Sequence, residues 1–298
     1  MYTNEINCLL AENANGAKLT YHRPESLDVA LSLRAEGALV VAGCTDLFPA
    51  TRVQNLGTAD QQMLDITAMP FLRGIISSPE GIRIGAATTW TDVIKAPLPP
   101  AFDSLKQAAR EVGSVQIQNA GTIAGNLCNA SPAADGVPSL LTLDAEVELR
   151  NSGGMRTIPL QDFLIGPRKT ALQPHELLTA ILIPQKSTLG ISGFYKLGAR
   201  RHLVISIAMA AVRLVMDEGK VSSVAIAVGA CSPVAQRLRA LEGKLLGQTL
   251  DLSQITDAEI IEALSPIDDI RADKNYRTHA AAEIIRRILL RLAKEVNI

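Results

Sequence analysis

The stretch Gln116-Ile117-Gln118-Asn119-Ala120-Gly121-Thr122-Ile123-Ala124-Gly125-Asn126-Leu127-Cys128-Asn129-Ala130-Ser131-Pro132-Ala133-Ala134-Asp135 is dense in Gly, Ala, Asn, Ser and Thr, yet interleaved with Ile and Leu. Small residues let a backbone approach a ligand closely. Thr122, Asn126 and Asn129 offer uncharged donors and acceptors, and no basic residue occurs from Ala120 to Asp135. By composition the stretch reads as a ligand loop or, equally, as a buried glycine-rich turn packed on a sheet.

A second glycine-bearing loop lies upstream. Leu39-Val40-Val41 is a short apolar strand, and Ala42-Gly43-Cys44-Thr45-Asp46-Leu47 follows it. Small residues after a buried strand leave consecutive backbone N–H groups exposed, and such groups can form an anion-binding nest. Thr45 adds a hydroxyl. No Lys or Arg lies between Val40 and Ala50. A phosphate here would be held by amide dipoles rather than by formal charge. The alternative is a tight strand-to-helix turn with Asp46 as a helix cap. Neither loop has the G-x-G-x-x-G spacing of a nicotinamide Rossmann site, and no P-loop occurs.

Around these loops the pattern is mixed. Ser26 is placed to cap a helix through Leu27, Ala30, Leu31 and Leu33 that Gly37 ends. Met63–Ile66 reads as a strand. Gly74–Thr88 and Ala145–Ile158 read as hairpins, with a helix over Phe102–Val112 between them. Beyond Pro184-Gln185-Lys186-Ser187 lie three strand-like runs, Gly193–Leu197, Ile205–Val215 and Val221–Val228, and then helices. In the last helix Ile284, Ile285, Ile288, Leu289 and Leu292 share one face, while Arg286, Arg287 and Arg291 mostly point away as a solvated face. The expected class is α+β. The expected division is residues 1–187, as two subdomains of roughly 1–70 and 71–187, followed by 188–298.

Composition narrows the function. With 298 residues and 47% apolar content, roughly two domains with real cores are expected. A net charge of −1 lacks the basic footprint of a nucleic-acid binder. No apolar run is long enough to span a membrane, since Ser206–Met216 is short and broken by Arg213. The chain begins Met-Tyr-Thr-Asn-Glu, without the charged and apolar regions of a secretory signal. The four cysteines, Cys8, Cys44, Cys128 and Cys231, and the four histidines are dispersed, with no metal spacing. A reducing, cytoplasmic setting is expected.

The long stretch resembles the hallmark of the molybdenum hydroxylase flavin subunits, in which Q-I-R-N-x-G-T-I-G-G-N-L precedes S-P-A-A-D. The upstream loop resembles the same family's A-G-G-T-D-L segment. Gly85-Ala86-Ala87-Thr88-Thr89, Asp162-Phe163 with Gly166-Pro167, Glu176-Leu177-Leu178 and Tyr195-Lys196-Leu197-Gly198-Ala199-Arg200 continue the likeness over almost the whole chain. The family is that of the medium subunits of xanthine dehydrogenase and carbon monoxide dehydrogenase.

The resemblance implies the FAD-binding fold of the vanillyl alcohol oxidase type, with two α+β subdomains, and a C-terminal domain of the CO dehydrogenase flavoprotein type. It implies FAD as cofactor. Val41, Ala42, Gly43, Cys44, Thr45, Asp46 and Leu47 would form the first phosphate loop, and Thr122, Gly125 and Asn126 the second. Cys128 and Asn129 would line the cofactor just beyond, and Leu178 would pack on the flavin. Asp135 would accept a hydrogen bond from the cofactor, its alternative being a turn or helix cap before Pro138. Lys196 would sit near the ring's polar edge, its alternative being a solvated strand lysine. The implied partners are a large molybdenum-cofactor subunit, a small subunit with two [2Fe–2S] clusters, and an acceptor such as NAD+. The chain has no cysteine set for a cluster of its own, and no catalytic acid–base pair is expected. Asp65 and Asp92 are expected to be caps and surface groups.

Two residues depart from the family pattern. Cys44 stands at a common second Gly, and Ala124 at the first Gly of a pair. Either would be strained if its position required φ > 0, and both are expected to tolerate a small Cβ. Two other functions remain open on this fold: a self-sufficient flavin oxidoreductase, and a flavin-free scaffold subunit.

Overall fold

The computed structural model describes residues 8–12, 18–49, 60–201 and 203–296. Met1–Glu5 and His202, on which the readings of the N-terminus and the histidines partly rest, lie outside those residues.

The first sheet contains β1 (Cys8–Glu12), β2 (Lys18–His22), β3 (Leu39–Val41) and β4 (Gln61–Asp65), in the order β1-β2-β4-β3. β1 pairs antiparallel with β2, whereas β2 and β3 both run parallel to β4. Three strands therefore end at one edge, where Arg23, Ala42 and Ile66 leave the sheet. Helix α1 (Leu27–Ala35) carries the chain from β2 to β3 and buries Ala30, Leu31 and Leu33. Ser26 occupies its N-cap position without making a side-chain capping bond. Gly37, at φ +95°, makes the left-handed turn that ends it.

The second sheet takes β5 (Ile75–Ser78), β6 (Gly81–Gly85), β7 (Glu146–Asn151), β8 (Gly154–Pro159) and β11 (Leu177–Pro184), in the antiparallel order β5-β6-β11-β7-β8. A side hairpin, β9 (Leu164–Gly166) and β10 (Lys169–Thr170), stands apart. Both expected hairpins are present. Between β6 and β9 come α2 (Trp90–Lys95), α3 (Asp103–Glu111), α4 (Val115–Ala120), α5 (Ile123–Asn129), α6 (Gly136–Thr142) and the single turn α7 (Leu160–Phe163). One hydrophobic core joins α1 and β4 of the first sheet to β6, β7 and β11 of the second, through Trp90, Leu105, Ile123, Leu127 and Leu140.

The third sheet is the meander β12 (Ile191–Leu197), β13 (Ala208–Asp217), β14 (Lys220–Gly229) and β15 (Gln236–Arg237). It carries α8 (Arg239–Leu245), α9 (Asp257–Glu262) and α10 (Lys274–Glu295). Ile284, Ile285, Ile288, Leu289 and Leu292 of α10 are all buried, and the helix packs on β12 and β13. Each such side chain contributes about 1.5–3 kcal/mol relative to exposure. Arg286 and Arg287 sit on the outer face, paired with Asp257 and Glu283. β15 has two residues, too few to show alternation in the sequence. β13 begins at Ala208 rather than Ile205, because Ser206 turns its hydroxyl to Asp135 at 2.8 Å.

Asp144 ties this sheet to the preceding segment. It accepts from Arg237 at 3.0 Å, from Arg213 at 3.4 Å and from Ser187 at 2.8 Å. Two buried guanidiniums thus converge on one carboxylate, which satisfies the requirement that buried charge be paired. The architecture is the expected α+β class. Among the described residues no helix is long and apolar enough to cross a membrane.

Candidate functional site

The two glycine-bearing stretches meet backbone to backbone. A Cβ on Gly43 would overlap the carbonyl of Ala120 and lie 2.8 Å from Gly121 Cα. Only a residue without a side chain lets the loop after β3 reach the junction between α4 and α5. In that loop the N–H groups of Gly43, Cys44, Thr45 and Asp46 find no acceptor among the described residues. Cys44 sits in the left-handed region at φ +54°. Consecutive free amides bent by a left-handed residue make a nest for an anion.

The second stretch is not the loop expected from its small residues. It is two short helices, α4 and α5, broken at Gly121 and Thr122. Thr122 caps α5, its hydroxyl accepting from Gly125 N at 3.1 Å. Ile123 and Leu127, one turn apart, are buried, which is why helix wins over turn here. The amides of Ile123 and Ala124 are spent on Thr88 and Ala86 carbonyls. The segment after β6 therefore clamps this stretch, and Trp90 completes the clamp. Its backbone N–H donates to Gly121 O at 3.1 Å, and its ring fills the space where a Cβ on Gly136 would stand, 2.5 Å from that position. No motif singles out Trp90 in the sequence, although it is the chain's only tryptophan.

Of the two departures from the family pattern, only one falls at a strained position. Cys44 requires φ > 0; Ala124 lies within α5 without a left-handed φ. Burial pushes the Cys44 thiol up, and the nearby Asp65 carboxylate adds to the rise. A thiol so shifted stays protonated and is a poor nucleophile.

The remaining expected site residues fall in three places. Gly125 and Cys128 are exposed on α5, and Asn126 and Asn129 are half-buried beside them. Asn126 Oδ1 is buried with no hydrogen-bond partner. Asn129 accepts from the Arg168 guanidinium, and Arg168, at φ +58°, also donates its N–H to Ala130 O at 2.8 Å. Leu178 is buried in the core of the first two sheets.

Asp135 and Lys196 lie 2.7 Å apart, with side chains only 9% and 6% exposed. This corrects two readings. Lys196 is no solvated strand lysine, since it is enclosed and also donates to Glu111 O at 3.3 Å. Asp135 precedes α6 but makes no capping bond, because its oxygens serve Lys196 and Ser206. Burial pushes the Asp135 carboxyl up, against the opposing pull of Lys196 and Ser206.

Asp65 is likewise no surface group. It is 6% exposed, accepts from the Tyr21 hydroxyl and from Thr67 N at 2.8 Å, and forms an ion pair with Arg23 Nε at 3.2 Å. Asp92 does cap α2, through a reciprocal box with Thr89. The described residues fit a flavin dinucleotide: free amides for a diphosphate, an unpartnered buried amide oxygen at Asn126, and an exposed glycine beside it.

Residues 17–186 match the FAD binding domain in molybdopterin dehydrogenase, and residues 193–292 match the CO dehydrogenase flavoprotein C-terminal domain. The chain belongs to the family of FAD-binding medium subunits of the molybdopterin hydroxylases, of the xanthine dehydrogenase and CO dehydrogenase type. The carbon monoxide dehydrogenase medium chain of Afipia carboxidovorans is 34% identical over 284 residues, which cover 91% of this chain and 95% of that one. The xanthine dehydrogenase FAD-binding subunit of Escherichia coli O157:H7 is 29% identical over 278 residues, with 91% and 94% covered. The structure of reconstituted CO dehydrogenase from Oligotropha carboxidovorans superposes with a TM-score of 0.84 at 30% identity, with 91% and 96% covered. This chain is thus an oxidoreductase flavoprotein subunit that functions within a multi-subunit molybdenum hydroxylase.

Proposed function

We propose that the chain is the electron-carrying subunit of a xanthine dehydrogenase-like molybdenum hydroxylase. It takes electrons from the [2Fe–2S] clusters of a small partner subunit and delivers them to NAD+ or another acceptor in the cytoplasm. Substrate is hydroxylated on a separate large subunit that holds the molybdenum cofactor. FAD bound here supplies one-electron and two-electron chemistry in one group.

The observation that carries the reading is the free-amide loop over residues 43–46, laid directly on the α4–α5 junction. Val41, Ala42, Gly43, Cys44, Thr45, Asp46 and Leu47 hold the diphosphate. Thr122, Gly125 and Asn126 approach it from the other side, and Cys128 and Asn129 line the cofactor beyond. Asp135, Leu178 and Lys196 serve the flavin end. In this reading residues 1–187 form the cofactor domain and 188–298 a C-terminal domain that contributes Lys196.

The test is the visible absorption spectrum of the purified chain, before and after incubation with FAD and gel filtration. A retained flavin spectrum is expected, followed by bleaching when the reduced iron–sulfur partner is added. A folded chain that binds FAD but is never reduced by that partner would sink the electron-transfer assignment.

A further inference from the structure

A diphosphate carries two negative charges, yet neither loop contains a basic residue. The nearby cations are mostly committed. Lys196 is paired with Asp135. Arg168 is bound to Asn129. Arg34 donates to Glu176 O and Ala38 O, both at 3.1 Å.

Arg23 differs. It follows β2 directly, at the same edge of the first sheet as the loop after β3. Its Nε is held by Asp65 at 3.2 Å, and its two terminal nitrogens have no partner among the described residues. Its side chain is 49% exposed. Asp65 is itself fixed by Tyr21 and Thr67, and is near enough to Cys44 to act on its thiol. β4 lies between β2 and β3. Adjacent strands are about 4.8 Å apart, so an arginine reaching over the end of β4 arrives beside the amide loop. A guanidinium held by Nε alone keeps its outer edge free for the paired oxygens of a phosphate.

We propose that Arg23, oriented by Asp65, supplies the formal positive charge that the cofactor's diphosphate meets at the amide loop. The inference rests on the reading of that loop as the diphosphate site.

The experiment is titration of the deflavinated full-length chain with FAD, followed by flavin fluorescence at low and at physiological salt. It compares wild type, Arg23→Gln, Arg23→Lys and Gly125→Leu. Arg23 is half exposed, and Asp65 keeps two other donors, so Arg23→Gln should fold; a melting curve checks this. Arg23→Gln is expected to weaken FAD binding about tenfold and to flatten its salt dependence, with Arg23→Lys recovering part of both. Loss of FAD binding in Gly125→Leu together with wild-type affinity and salt dependence in Arg23→Gln would overturn the proposal and leave the loop reading standing. Full FAD affinity in Gly125→Leu would overturn the loop reading itself. Normal FAD affinity in Arg23→Gln with impaired assembly of the subunits would assign Arg23 to a docking surface and equally overturn the proposal.

Discussion

Gly43 rests on the carbonyl of Ala120, so close that the two backbones leave no room for a Cβ between them. The obstacle is main chain on both sides, which cannot swing away as a side chain can. Gly43→Ala should therefore cost about 3 kcal/mol of stability, the upper part of the usual overpacking range. It should also separate the loop after β3 from the α4–α5 junction and lower flavin content. An unchanged denaturation midpoint with normal flavin content would contradict the contact.

Gly125 presents the opposite case. It is exposed on α5, and a Cβ there would meet only Thr122 Oγ1, at 2.8 Å. Displacing that cap costs about 1 kcal/mol, and replacing a helical glycine returns a similar amount. Gly125→Leu should fold with near-normal stability and lose FAD. A full flavin spectrum in that variant would remove Gly125 from the cofactor site.

The Asp135–Lys196 pair makes a double test. Lys196→Met leaves a buried carboxylate without its cation and should destabilise the chain by about 3–5 kcal/mol. Adding Asp135→Asn should recover most of that loss. If the pair faces the flavin, Lys196→Met lowers the flavin potential and Asp135→Asn raises it, since positive charge favours the reduced anionic ring. Potentials that stay fixed in both variants would make the pair a purely structural tie between α6 and β12.

Cys44 at φ +54° bears the strain of a left-handed non-glycine residue. Cys44→Gly should stabilise the chain by about 1 kcal/mol, the relief of strain less the added chain entropy. FAD affinity should be retained, because the amide positions do not change. A denaturant midpoint that does not rise would argue against strain at this residue.

Glu176 gives an acid dependence. Arg156 grips it at 2.6 and 2.8 Å, and this pairing, with Gln173 N, holds its carboxyl below the usual range. A group lowered in the folded state stabilises above its unfolded pKa, and that stabilisation is lost as pH falls through the folded value. Melting temperature should decline on the acid side of the ordinary glutamate range. Glu176→Gln should be less stable at neutral pH and should show a shallower decline. Parallel pH profiles for the two proteins would rule out this linkage.

Much of this molecule was legible in its sequence because the signals were local. The hairpins over Gly74–Thr88 and Ala145–Ile158 could be read locally, as could the face of α10 that Ile284, Ile285, Ile288, Leu289 and Leu292 share. The long motif pointed to the family and to FAD. Small-residue density misled at residues 122–129, where Thr122 as a cap and Ile123 with Leu127 as an apolar face select helix.

What the sequence by itself determined was the class of the fold, the family and its cofactor. Periodicity, turn residues and motifs act over a few positions and need no partner. The tertiary structure alone decided that Gly43 stacks on Ala120, that Lys196 is buried on Asp135 across 61 positions of chain, and that Asp65 is a buried anchor for Arg23. Those pairings depend on which strand ends share an edge and which side chains lose water together, and neither is set by the order of neighbours along the chain.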